Sequence, residues 1–126
     1  MPDDLYERDI LAWSHHQADL LRRLGRGERA NDVDWTHLAE AIEDVGLSEL
    51  HSVESHLSLV LVHLLHFHAW PDSPSAGHWR GEVVAFQNNA KRRFTASMRQ
   101  KLDIETLYAD AVEQVQATQP DGAIPI

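Results

Sequence analysis

The stretch from Asp34 to Trp70, DWTHLAEAIEDVGLSELHSVESHLSLVLVHLLHFHAW, decides the fold. From Trp35 onward, Leu38, Ala39, Ile42 and Val45 fall on one apolar stripe at helical spacing. Beyond Gly46, a second set (Leu50, Val53, Leu57, Val60, Leu61, Leu64 and Phe67) forms another, and Leu59, Val62 and Leu65 carry apolar character round the rest. A helix that is apolar on most sides is buried on most sides, so this is the central helix of a bundle. Pro71 ends it, making Trp70 the expected last residue. Gly46 predicts an interruption, because glycine in a helix is a site for a kink, a break or a close contact. With Ser48 able to cap a new start, the expectation is two nearly continuous pieces, 34–45 and 47–70.

Working outward, a helix over 3–24 is expected on the N-terminal side, capped by Asp3 or Asp4. Its seam is Tyr6, Ile10, Trp13, Gln17, Leu20 and Leu24, and Gly25 and Gly27 end it after Arg22 and Arg23 in the last turn. Residues 25–33 are a turn, and Asp32 or Asp34 starts the next helix. On the other side, 71–77 (PDSPSAG) is a loop. A helix over 78–99 turns Trp79, Val83, Phe86, Ala90, Phe94 and Met98 inward. Asp103 caps a last helix over 103–118, with Leu107, Tyr108, Ala111, Val112 and Val115 on its face. Residues 119–126 are expected to be a frayed tail. With short loops and no strand pattern, this is an all-α, four- to five-helix antiparallel bundle in a single domain, 1–126.

The chain has 126 residues, 43% of them apolar, and a formal net charge of −9 from 20 acids against 11 bases. That balance argues against nucleic acid as a partner, since such binding rests on neutralising phosphates. There is no cysteine, which removes thiolate chemistry and Cys-type zinc sites. The N-terminus lacks the apolar core of a signal peptide. The longest apolar run, Leu57 to Phe67, falls far short of the roughly 20 residues that span a bilayer. The expectation is a cytoplasmic protein with no membrane association.

Two constellations could carry chemistry. Glu40, Glu43 and Glu54 project onto the stripe of Leu47, Leu50, Leu57, Leu61 and Leu64 if the helix continues through Gly46. Acids on an apolar face need explaining, because an unpaired buried carboxylate is costly. One reading is that they face solvent or pair with bases of the following helix. The other is a metal or acid/base site built on Glu40 and Glu43, one turn apart. Glu54 lies about 16 Å along the axis from Glu43 and could share an ion only if the chain folds back at Gly46.

The nine histidines supply the second constellation. His63 and His66, three residues apart, could hold one metal together, with a glutamate completing the set. The alternative is polar positions on a buried helix, hydrogen-bonded to backbone. No HExxH, GxSxG or glycine-rich phosphate loop is present. Lys91, Arg92, Arg93, Arg99 and Lys101 form a basic cluster that fits a solvated helix face or a partner for the glutamate-rich segment.

The order LYERDILAW, DWTHLAEAIEDVG, SELHSVESHLSLVLVHLLHF, GHWRGEVVAFQNNAKRRF and LYADA resembles the bacterial domain-of-unknown-function family 29. The resemblance covers about residues 5–116. Its most specific parts are Leu38-Ala39-Glu40, Ile42-Glu43, Gly46, Glu54 and His63-Leu64-Leu65, with Trp13 and Trp79 as aromatic markers. It implies a small helical protein and supplies no activity. The arginine often found late in the family's tryptophan motif stands as Gln87 here, which weakens an arginine-based anion site.

The sequence therefore favours an interaction or self-associating module over an enzyme, since no catalytic motif is recognised and no cofactor is expected. Exposed aromatic residues on a helix face would support that reading. The alternative is a metal-binding bundle or small metal-dependent enzyme, with a divalent cation held by at least three of Glu40, Glu43, Glu54 and His63. A nucleic-acid partner at Lys91, Arg92, Arg93 and Arg99 is the least favoured.

Overall fold

The computed structural model of the chain describes residues 5–118. The elements in order are α1 (Leu5–Arg8), α2 (Ile10–Gly25), α3 (Trp35–Ala69), α4 (Ala76–Arg93), a single 3-10 turn (Ala96–Met98) and α5 (Ile104–Thr118). The protein is all-α, with no strand among the described residues.

The helix expected over 3–24 is divided at Asp9. Its carboxylate accepts the Ala12 N–H at 3.0 Å and caps α2. An aspartate that can bond a nearby amide competes with helix continuation, and here the cap wins. The expected caps Asp3 and Asp4 lie outside the described residues, as does the tail 119–126. The C-terminal end of α2 matches the sequence reading: Arg22 and Arg23 fill the last turn, and Gly27 takes the left-handed backbone (φ +83) that reverses the chain.

The largest correction concerns Gly46. Residues Trp35–Ala69 form one unbroken helix, not two pieces, and Ser48 starts nothing. A helical glycine costs about 1 kcal/mol relative to alanine, which a 35-residue helix with good formers on both sides absorbs. The chain falls into two compact units, Met1–Gly46 and Leu47–Ile126, which meet in sequence at this residue.

In the first unit, Trp13, Gln17 and Leu20 are the buried face of α2, as their spacing predicts. Gln17 is fully buried and works as a polar clamp: its Oε1 accepts the Asp34 N–H (2.8 Å) and its Nε2 donates toward the Asp32 carbonyl (3.4 Å). Asp32 sits at φ 65, a left-handed conformation that aspartate tolerates better than most residues. Asp34 then caps α3, with Oδ1 accepting the His37 N–H.

In the second unit, α4 runs antiparallel to the later part of α3. Trp79, near its start, stacks on His66 (5.0 Å between centroids), and Arg93, at its end, bonds Glu49 at 2.6 Å. On another side of α3, Val62 and Leu65 bury against Ala111 and Val115 of α5, with Leu61, Trp70 and Val112 packed round them. Helix α4 stops at Arg93, six residues short of the expected end, because Phe94 and Thr95 turn extended. Met98 still reaches the interior, from the 3-10 turn, whereas Phe94 is exposed. Asp103 caps α5 as expected: its carboxylate accepts from the backbone and hydroxyl of Thr106 (3.1 and 2.7 Å). The hydroxyl bond, then the backbone bond, hold the Asp103 carboxyl below its ordinary range.

Candidate functional site

Helix α3 carries every carboxylate and histidine singled out in the sequence, and its unbroken course decides what they can do. Glu40 and Glu43 are exposed and Glu54 is half-buried. The fold-back at Gly46 that would let Glu43 and Glu54 share an ion does not occur. Among the described residues, no three histidine, aspartate or glutamate side chains gather in a way that could hold a metal ion. The expected convergence of three among Glu40, Glu43, Glu54 and His63 is therefore not formed. The physical reason is that a continuous helix spreads these residues along its length at 1.5 Å per residue.

The histidines of α3 follow the backbone-bonded pattern. His56 donates Nδ1–H to the Ser52 carbonyl and His63 donates to the Leu59 carbonyl, each at 2.7 Å. Both rings lie against Phe86 of α4, with centroids 6.1 and 5.5 Å away. His66 differs. It is packed between Trp79 and Trp70, and its Nε2 approaches the Thr118 hydroxyl at 3.5 Å. That hydroxyl donates to the Val115 carbonyl, so Nε2 carries the ring proton. Nδ1 is then a buried lone pair with no partner among the described residues. Burial, and secondarily the charge of nearby His63, lower the pKa of His66.

A histidine buried neutral destabilises the fold when it must take a proton. The unfolded chain binds protons near the ordinary value of 6.5, while the folded chain resists until lower pH. Stability from this site is thus present above 6.5 and falls as pH drops through the lowered value. Two-dimensional NMR should find His66 titrating below the ordinary value of 6.5. The acid side of the stability profile should flatten in His66→Phe. A His66 that titrates at or above that value contradicts this.

The basic cluster is a solvated helix end. Lys91, Arg92 and Arg93 occupy the last turn of α4, where the helix dipole favours cations, and Arg99 follows the 3-10 turn. All four are exposed. The expected pairing with the glutamate-rich segment occurs once, between Arg93 and Glu49.

One polar constellation was not singled out in the sequence. Asp34 Oδ2 accepts from Trp13 Nε1 (3.0 Å) and from His37 Nδ1 (2.7 Å), and Tyr6 stacks on the His37 ring at 4.0 Å. Burial raises the Asp34 pKa, but the donors Trp13 and His37 outweigh it and the net shift is downward. The contacts of Asp34 among the described residues are accounted for by capping α3 and tying it to α2. An aspartate three residues before a histidine at a helix start was the available signal.

The remaining feature is apolar. On α3, Trp35 is 65% exposed, Ile42 69% and Val45 70%, with Leu38 half-buried among them. These are four members of the stripe that opens the helix, and three of them are about two-thirds exposed among the described residues. A second apolar surface, in the second unit, is an open groove of about 590 Å³ lined by residues including Leu61, Leu64, Phe67 and Tyr108. No helix among the described residues is long and apolar enough to cross a membrane.

A family model described as "Domain of unknown function DUF29" matches residues 5–124. Among solved structures, the chain is similar to an α-helical protein of unknown function from Rhodospirillum rubrum, determined at 1.45 Å. The two share 32% identity at a TM-score of 0.68, over 96% of this chain and 84% of that one. No curated protein matches.

Proposed function

The chain belongs to the DUF29 family, and for this member we propose a helical protein-interaction module whose docking surface is the Trp35–Val45 face of α3. The observation that carries the reading is the exposure of Trp35, Ile42 and Val45 together. Single exposed apolar residues are ordinary, but a run of them on one helix face marks a place where another surface sits. Indole in particular is rare on bare surface and enriched at interface centres. Helix-in-groove and helix-on-helix recognition use anchors at this spacing.

The test separates a docking face from a core face. Ile42→Glu, studied at low micromolar concentration, should melt within about 2 °C of the parent, since a substitution at an exposed site stays within about 0.5 kcal/mol. A drop comparable to that of a core substitution means the face is buried within the chain, and the interaction reading fails.

A further inference from the structure

We infer that the helix received by this face is the same segment of a second copy of the chain, running antiparallel. The inference rests on the reading of the 35–45 face as a docking surface, and four features of α3 argue for this occupant over an unrelated one.

The first is spacing. Trp35, Leu38, Ile42 and Val45 alternate three and four residues apart, which places them at the a and d positions of a heptad. The second is self-complementarity. Set two such segments antiparallel about a twofold axis near residue 40, and Trp35 faces Val45 of the partner subunit while Leu38 faces Ile42 of the partner subunit. Every a position then meets a d position with one rule, as an isologous interface requires. A parallel pairing would instead set the two indoles against each other.

The third is charge. The flanking e and g positions after Trp35 are Ala39, Ala41, Gly46 and Ser48, all small and uncharged, while Asp34, at g just before Trp35, is held by Trp13 and His37 of its own chain. The acids Glu40, Glu43 and Asp44 fall at f, b and c, away from the seam. A chain of net charge −9 would ordinarily resist self-pairing, and this arrangement keeps its acids out of the contact.

The fourth is Gly46. Its backbone is helical, without positive φ, and a Cβ added to it would meet nothing within 4 Å. Nothing among the described residues uses the missing side chain. One position beyond Val45, it leaves a notch where the Trp35 indole of the partner subunit has room. Two indoles, two isoleucines and two valines, each about two-thirds exposed, supply most of the roughly 1,000 Å² that a specific interface needs. The expected dimer is therefore of modest affinity.

The chain has no cysteine, so single cysteines report the geometry directly. Ala39→Cys lies beside the axis and should form a disulfide-linked dimer under mild oxidation. Ser48→Cys should link at least tenfold less, because two copies of residue 48 stand about 24 Å apart along the axis in this register. Adding Ile42→Glu to Ala39→Cys should abolish linkage. Gly46→Leu, which fills the notch, should weaken association tenfold or more while helical content is kept. Absence of linkage at 39, equal linkage at 48, or undiminished association of Gly46→Leu overturns the antiparallel second copy. If that happens while Ile42→Glu still melts like the parent in dilute solution, the docking reading stands without this partner. If Ile42→Glu melts far lower, both fall.

Discussion

Trp13→Ala should lower the stability of the protein by about 3–5 kcal/mol, the usual cost of deleting a buried indole. Trp13 is the centre of the first unit. It is buried on α2, stands edge-on to Tyr6 with centroids 4.7 Å apart, and donates to Asp34 at 3.0 Å. Removing it opens a cavity and strips one donor from the carboxylate that caps α3. The two losses can be separated. Trp13→Phe keeps most of the ring volume and deletes the hydrogen bond, so it should cost about 1–2 kcal/mol. Urea unfolding followed by circular dichroism measures both. A loss below about 1 kcal/mol in Trp13→Ala would mean that α2 and the start of α3 are held by something other than this residue.

Val115→Asp should be at least as damaging to the second unit. Val115 is fully buried and packs with Val62, Leu65 and Ala111. None of the four buried side chains of that cluster carries a charge or a hydrogen-bond donor, and of the three packed round it Trp70 alone has a donor and none has a charge. A carboxylate there must stay charged without a partner or take a proton at a cost, and either route removes several kcal/mol. The expected result is a protein unfolded or molten at 37 °C and neutral pH, with partial recovery as acid neutralises the new carboxylate. Val115→Ala, which only leaves a cavity, should cost about 1–3 kcal/mol. If Val115→Asp folds as well as Val115→Ala, the α3–α5 packing described above is wrong.

Much of this architecture was legible in the residues. The period of Trp13, Gln17 and Leu20 placed α2's inner face, the cap at Asp103 was in the sequence, and the start of α3 was narrowed to Asp32 or Asp34, of which Asp34 is the cap. What misled were residues with more than one physical use. Gly46 was read as a breaker because glycine weakens helices, yet one such cost is small against the cooperativity of a long helix. The end of α4 was set too late because Phe94 and Met98 keep helical phase with Ala90. The structure reaches Met98 through an extended pair and a 3-10 turn instead.

The candidate site was only partly legible, for a different reason. Glu40, Glu43 and Glu54 drew attention because acids on an apolar stripe imply a buried charge. That inference fails because the stripe is not a buried one: Leu47 and Leu64 are exposed, and Leu50, Leu57 and Leu61 are only half-buried. The more telling residues were Trp35, Ile42 and Val45. Their spacing says that a face requires cover and cannot say whether the cover comes from the same chain. Only their exposure in the folded structure points outside it. His66 is a similar case, since its position on the helix and that of Trp70 one turn on were readable, but the burial of its Nδ1 depends on Trp79 and Thr118 arriving from α4 and α5.

Sedimentation equilibrium across a wide concentration range, run on the parent and on Ile42→Glu, tests the self-association of α3 most directly. The account predicts that the parent moves from its 14.3 kDa monomer to twice that mass as concentration rises, while Ile42→Glu remains monomeric throughout. A parent that stays monomeric at the highest concentrations, or an Ile42→Glu variant that dimerises as readily as the parent, would contradict it.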